Sequence, residues 1–380
     1  MSARIEFGFG KLSQKAKDAL VRVAENTYYP TALAWQEAEK FADDWGKLFE
    51  YKRNVAVASG TAADIGSLFA LYNHGAKRGD EVIVPALAWI SVINAPLAAG
   101  FKPVFVDVEK ETLNINPRLI KDAITDRTKA IMVVHTMGKP CEMDTIKSVA
   151  DERGIYVIED ACEAHGAKFK NKYVGQWGDM ATFSFYMAHL VWAGEGGMVS
   201  TNNSELADSV MAVRNHGRIK GSQYMDHFLP GLNLKMSDFH AAIGRAHLED
   251  FWTTFNTRKD NLDYLLAQNS DLKDFAWFNS EGKDEVICPH GFSVTLKDPK
   301  LDYKGLYKFM QDNSINCKRN FGSMPTQHRG FQFLGHKLGE FPEAEYIGDN
   351  GLHIGVHQGL NRSDLDHITE TLHTYFNKFK

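Results

Sequence analysis

The sequence predicts an α/β fold, with a mostly parallel sheet in a large domain and a smaller C-terminal α/β domain. Three observations predict it. Seven short apolar runs, many of them β-branched, at 54–58, 81–84, 103–106, 130–134, 155–158, 182–185 and 197–200, have the length of buried strands. Helical patterns separate most of them, as at 61–73 and 143–153, and that alternation implies a sheet covered on both faces. From about residue 246 the pattern changes, which divides the 380 residues into a large domain, 1–245, and a small one, 246–380; at roughly 150 residues per domain the length suits two.

Ligands of such folds lie beyond the carboxyl ends of the strands, so the residues just after each run matter most. The run at 54–58 leads into Ser59-Gly60-Thr61-Ala62, a turn that opens a helix. Exposed N–H groups there, the positive end of the helix dipole and the hydroxyls of Ser59 and Thr61 suit a phosphate. An isolated Ser-Gly-Thr is also an ordinary helix cap. The run at 81–84 is followed by Trp89, whose ring either stacks on a planar ligand or fills the core. Asp160 ends the run at 155–158 and its next residue, placing a carboxylate at the sheet edge; by itself it is equally a capping residue. Ser184 lies one residue before the end of the run at 182–185, and His189 stands five residues on, before Gly194-Glu195-Gly196-Gly197. A lone histidine is ordinarily structural, but one in this setting can move protons near neutral pH. Beyond 246 we expect a helix at 247–268, strands at 286–288 and 292–296, a helix at 304–313, a strand at 315–317 and a terminal helix at 362–379.

Composition narrows the function. A net charge of −5, with 43 basic and 48 acidic residues interspersed, offers no basic stripe for nucleic acid and no polybasic membrane patch. The longest apolar runs fall far short of the about 20 residues that cross a bilayer, and the first residues lack a signal-peptide apolar region, so we expect a cytoplasmic protein. Cys141, Cys162, Cys288 and Cys317 are too dispersed for a zinc ribbon or an iron–sulfur loop and read as free core thiols. No ligand spacing among His165, His189, His216 and His357 supports a metal site.

The order phosphate turn, aromatic, strand-end aspartate and Ser184-Phe185-x-x-x-His189…Gly194-Glu195-Gly196-Gly197 resembles the DegT/DnrJ/EryC1/StrS family of pyridoxal-phosphate sugar aminotransferases, over about 30–245 and more loosely beyond. Gly231-Leu232-Asn233-Leu234-Lys235-Met236 is similar to the family's Gly-x-Asn-x-Arg-Met, with Lys235 in place of arginine. At the position of the family's cofactor lysine stands His189, and no lysine occurs between Lys172 and Lys220. The exchange is that of a small branch, the sugar 3-dehydratases, and Arg214-Asn215-His216-Gly217 and Gly355-Val356-His357-Gln358 also resemble the enzymes of that branch acting on GDP-4-keto-6-deoxymannose.

The resemblance implies fold type I, the aspartate-aminotransferase-like architecture, with pyridoxal 5′-phosphate or pyridoxamine 5′-phosphate as cofactor. It implies that Gly60, Thr61, Ala62 and Ser184 hold the phosphate, that Trp89 stacks on the pyridine, and that Asp160 keeps the ring nitrogen protonated. Glu163 then stands where the aminotransferases usually have glutamine, near the ring oxygen. Asn233 reaches the phosphate of a neighbouring subunit, which implies a homodimer. His216, Arg319 and His357 are placed at the sugar. Imidazole forms no stable Schiff base, so the implied resting state is the pyridoxamine form, with His189 as the proton-transferring base. The implied reaction removes the C3 hydroxyl of a 4-keto-6-deoxy nucleotide sugar in deoxysugar and lipopolysaccharide O-antigen biosynthesis, with glutamate restoring the amine and no iron–sulfur reductase. The rivals are an aminotransferase served by another lysine, Lys168 or Lys220 being nearest in sequence, and a scaffold that binds without catalysis.

Overall fold

A computed structural model describes residues 4–26, 36–219 and 226–379. Its larger sheet has seven strands: β1 (Arg53–Val57), β2 (Glu81–Pro85), β3 (Lys102–Val106), β4 (Thr128–Val134), β5 (Tyr156–Asp160), β6 (Met180–Ser184) and β7 (Gly197–Thr201). Their spatial order is β1-β7-β6-β5-β4-β2-β3. All pairings from β6 through β5, β4 and β2 to β3 are parallel, and only β7 runs against its two neighbours, so β1 points the same way as the rest. Six carboxyl ends therefore share one edge. The mostly parallel sheet expected from the sequence is present, and its runs were legible because both faces are covered: β2 is buried at all five positions.

Two cores sandwich this sheet near the site. One packs helices Gly60–Ala70 and Ser91–Ala99 against Val55, Val84 and Ile158. The other gathers Phe41, Trp45 and Phe49 of helix Gln36–Phe49 with Phe183, Phe185 and Val191. Trp45 is fully buried, 4.9 Å from the Phe183 ring and 5.2 Å from His165. The loop after β6 thus rests on an aromatic floor.

The C-terminal part carries a four-stranded antiparallel sheet ordered Ala276–Phe278, Gly291–Leu296, Gly351–Gly355 and Cys317–Arg319. Helices Phe251–Gln268, Tyr303–Asp312 and Arg362–Phe376 accompany it. The N-terminal stretch belongs to the same body, since Ile5 bridges Ile315 and joins that core. Several expected boundaries move. The helix expected at 247–268 is two helices, Asp238–Leu248 and Phe251–Gln268, broken at Glu249 and Asp250. Ile287 and Cys288 are buried but lie outside any strand; only Glu285 and Val286 pair, with Phe169 and Lys168. The strand expected at 315–317 begins at Cys317, because Ile315 bridges only Ile5. The terminal helix stops at Phe376 and tightens to a 3₁₀ turn over Asn377–Phe379.

One close approach ties the sheet to the turn after β1. A Cβ on Gly197 would run into the carbonyl of Ser59 and lie 2.9 Å from the nitrogen of Gly60, so β7 reaches the turn only as glycine. Gly197→Ala is expected to cost about 1–3 kcal/mol, the usual cost of overpacking, read as a lower denaturation midpoint in guanidinium. Gly330→Ala, where a Cβ meets nothing within 4 Å, serves as the unshifted control.

Candidate functional site

The site is built from the segments just beyond the carboxyl ends of the strands. After β1, helix Gly60–Ala70 starts with Ser59 as its cap: the Ser59 hydroxyl accepts from the Ala62 N–H at 3.0 Å and its carbonyl from Ala63 at 3.0 Å. The plain capping role is therefore real, and it occupies the Ala62 amide, leaving Gly60 and Thr61 to present theirs. Gly60 is pressed against β6; a Cβ there would lie 2.7 Å from Ser184 Cβ and 2.9 Å from Cys162 Sγ. Ser184 itself accepts from the Tyr186 N–H at 3.3 Å. Phosphate turn and serine thus converge, as an anion cup at a helix start requires.

Next to this cup β5 delivers Asp160, only 3 % exposed, accepting from the Cys162 N–H at 3.0 Å. Burial pushes its pKa up, and the Cys162 contacts and the charge of His135 oppose that. Beneath it lies a residue that sequence reasoning missed. Asp64, on helix Gly60–Ala70, is fully buried, accepts from the Thr182 hydroxyl at 2.7 Å, and has its second oxygen buried without a partner. Burial and then the neighbouring Asp160 hold its carboxyl well above the usual range. A buried carboxylate short of countercharge suits a protonated ring nitrogen, so these residues fit a pyridinium.

Glu163 accepts from the Met137 N–H at 2.7 Å, and its other oxygen lies 3.5 Å from His290 Nε2. Burial pushes its carboxyl up to about 7. His290 in turn lies 5.3 Å from His189, ring to ring, and His165 stands 5.7 Å away on the other side. His189 is partly buried, with Nδ1 enclosed and unpartnered. Burial, then the charge of Arg258, depress it to about 3, so the imidazole is neutral at physiological pH. Arg258 reaches the same loop through its backbone, donating to the carbonyls of Ala188 at 3.4 Å and His189 at 3.3 Å and to Gln358 Oε1 at 2.8 Å. Its sequence signal exists: Phe251, Phe255, Arg258, Leu262 and Leu265 form one buried helical stripe interrupted by a cation. His290 had no such signal. Among the described residues no group of three or more His, Cys, Asp or Glu side chains has metal-holding geometry.

The remaining candidates separate. Trp89 stands 61 % exposed ahead of helix Ser91–Ala99, edge-on to Phe321 at 6.4 Å, and so is not a core residue. Asn233 is exposed, with backbone paired to Asn215, and Lys235 Nζ lies 3.4 Å from His216 Nε2. His216 is exposed in a left-handed turn at φ 61°. Arg319 is engaged by the carbonyl of Gly348 and by Asp349 at 2.9 Å, and among the described residues it has no hydrogen bond or ion pair to the His189 cluster. His357 is buried; its Nε2 meets the Glu6 carbonyl at 3.1 Å and its Nδ1 accepts from Gly359 at 3.2 Å, which makes it a tether for the N-terminal stretch. Lys168 lies in a short ribbon with its ammonium over the Tyr173 ring at 4.2 Å, and Lys220 lies outside the described residues.

Comparisons with known proteins agree with this geometry. The chain is 33% identical over 338 residues to GDP-perosamine synthase of Escherichia coli O157:H7, covering 89% of this chain and 90% of that protein. It is 30% identical over 358 residues to GDP-4-keto-6-deoxy-D-mannose 3-dehydratase of Escherichia coli O55:H7, covering 88% and 91%. The solved Escherichia coli GDP-4-keto-6-deoxy-D-mannose-3-dehydratase with bound hydrated PLP superposes with a TM-score of 0.88 at 27% identity, over 98% of this chain and all of that one. A profile described as the DegT/DnrJ/EryC1/StrS aminotransferase family matches residues 13–373. With a turn, a strand-end carboxylate and a Gly-Glu-Gly-Gly loop placed around one cup, the chain belongs to the DegT/DnrJ/EryC1/StrS aminotransferase family.

Proposed function

We propose that the chain is a pyridoxal/pyridoxamine-phosphate-dependent sugar 3-dehydratase that removes the C3 hydroxyl of a 4-keto-6-deoxy nucleotide sugar. Family membership carries the coarser statement, a pyridoxal-phosphate-dependent enzyme that modifies sugars. The finer one rests on a single observation: an imidazole, His189, with its Nδ1 enclosed, occupies the loop between Ser184 and Gly194-Glu195-Gly196-Gly197 where an amine would tether the cofactor. We take 1–245, apart from the N-terminal stretch around Ile5 that packs with the C-terminal body, as the cofactor-binding part and 246–380 as the smaller domain that completes the sugar site.

When bound, the cofactor supplies an amine for the sugar's C4 ketone and a protonated ring that withdraws electrons. The chain's residues do the rest. The amides of Gly60 and Thr61 with Ser184 would hold the phosphate, Trp89 would cover the ring face, and Asp160 would keep the proton on the ring nitrogen. Glu163 meets the ring oxygen. With Nδ1 enclosed, Nε2 of His189 is the nitrogen left that would take a proton from the carbon beside the ring; burial keeps it unprotonated before the cofactor binds. The C3 hydroxyl leaves as water, ammonia and a 3-deoxy-4-keto sugar are released, and glutamate restores the amine. Asn233, exposed, is offered to the phosphate of a second subunit.

A second reading has an observation of its own, since identity to a perosamine synthase, 33%, is no lower than the 30% to a 3-dehydratase. Incubation with pyridoxal phosphate, glutamate and 4-keto nucleotide sugars separates them: the dehydratase yields ammonia and a product lighter by one oxygen, the aminotransferase an amino sugar. Borohydride should trap no lysine adduct in the wild type, whereas His189→Lys should give one at residue 189. A wild-type adduct mapped to Lys168, Lys220 or another lysine would hand the case to the aminotransferase. His189→Asn should bind the cofactor as the wild type does, yet lose on the order of 10²–10⁴-fold in rate, the usual worth of a positioned base. Sedimentation should show a homodimer, and a fully active monomer would remove Asn233 from the phosphate.

A further inference from the structure

We propose that Asp64 and Asp160 hold one proton between them, and that Asp64 is a positioning residue setting the charge that Asp160 presents to the cofactor's ring nitrogen. The inference rests on the proposed role of Asp160 and goes beyond it. Helix Gly60–Ala70 begins at the phosphate turn, and one turn later it delivers Asp64 beside the strand pair that carries Asp160 and Thr182. Interior positions of that helix are otherwise apolar or small, with Ala62, Ala63, Gly66 and Leu68 buried alongside, so a carboxyl here is placed against a steep solvation cost. Its Oδ1 accepts from the Thr182 hydroxyl at 2.7 Å, while Oδ2 is buried and unpartnered. With that oxygen short of a donor, an ionised carboxylate here carries the full cost of a buried charge, and protonation removes that charge.

The surroundings decide where the proton sits. Asp160 accepts the Cys162 N–H, interacts with the Cys162 thiol, and feels the charge of His135, all of which favour its ionised form. Asp64 has only the hydroxyls of Thr182 and Ser91 on its side, and Asp160 itself as the nearest charge. Glu163 is a third acidic group here, and when ionised it adds a like charge toward Cys162 and Asp160. Two carboxyl groups in one dry site do not both ionise. The proton therefore stays on Asp64 and the charge on Asp160. A cation bound at Asp160 offsets that charge, and Asp64 then releases its proton at lower pH than in the empty site.

Linkage makes this measurable without turnover. Pyridoxamine 5′-phosphate is titrated into apoenzyme from pH 6 to pH 9, comparing wild type with Asp64→Asn; the probe's own ionisations cancel in the ratio of dissociation constants. At low pH the protonated acid and the amide are alike and the ratio is near one. As pH rises, only the wild type gains a second negative charge, so the variant should bind weaker by about tenfold for each pK unit by which binding shifts Asp64. Thr182→Val, which deletes the donor to Oδ1, should move the crossover to higher pH, and it carries the test if Asp64→Asn does not fold. A ratio that stays flat across the range in both variants overturns the shared proton. Asp160→Asn separates the two levels: unweakened cofactor binding there overturns the role of Asp160 itself, whereas weakened binding with a flat Asp64 ratio overturns only the pair.

Discussion

Strand β5 carries two adjacent carboxylates that the pleat sends to opposite faces of the sheet. Glu159 points to one side, where it accepts from Gly175, Trp177 and Gly178 N–H groups and from His135 Nε2 at 3.0 Å. Asp160 points to the other, into the cup. A slip of one residue would exchange them, putting the fully hydrogen-bonded carboxylate at the ligand and stranding the other. The anchoring also propagates: His135 takes the Cys141 N–H at 3.0 Å, and two residues on, Met137 supplies the N–H that holds Glu163. One strand's register thus fixes both acidic groups of the site.

Dryness does the electrostatic work around them. Glu163 and Asp160 are raised by burial, while His165, His189, His290 and His353 are lowered by it. The imidazoles are thereby held neutral and the acids keep their protons to higher pH than in water, so the region carries fewer charges than its side chains would carry in solvent. Arg258 supplies the permanent cation of this region, and with Gln358 it joins the loop after β6 to the C-terminal body.

Much of this was legible in the residues. Strands such as Val82-Ile83-Val84 announce themselves because burial on both faces leaves no polar alternation to misread, and the turn at Ser59, Asp160 and Ser184 are marked out by standing at carboxyl ends. The failures share a cause. Ile287 and Cys288 are apolar because they pack in a loop, with Cys288 bonded to the Gly138 carbonyl, and apolar content alone cannot tell a buried loop from a strand. Arg319 and His357, expected at the sugar, also have partners the sequence does not encode, Asp349 and the Glu6 carbonyl. Asp64 and Arg258 were visible as charges among apolar neighbours; what was hidden was which groups they meet.

The loop bearing His189 is gripped by its backbone: Arg258 binds the carbonyls of Ala188 and His189, and the His189 amide donates to Tyr186 at 3.0 Å. None of those contacts uses the imidazole. The peptide frame is therefore indifferent to which side chain it displays, and the side chain can be exchanged without rebuilding the shelf beneath it. In evolutionary terms that lowers the barrier between tethered and untethered chemistries on this scaffold: one position can drift while its support persists, and divergence of reaction need not await divergence of fold.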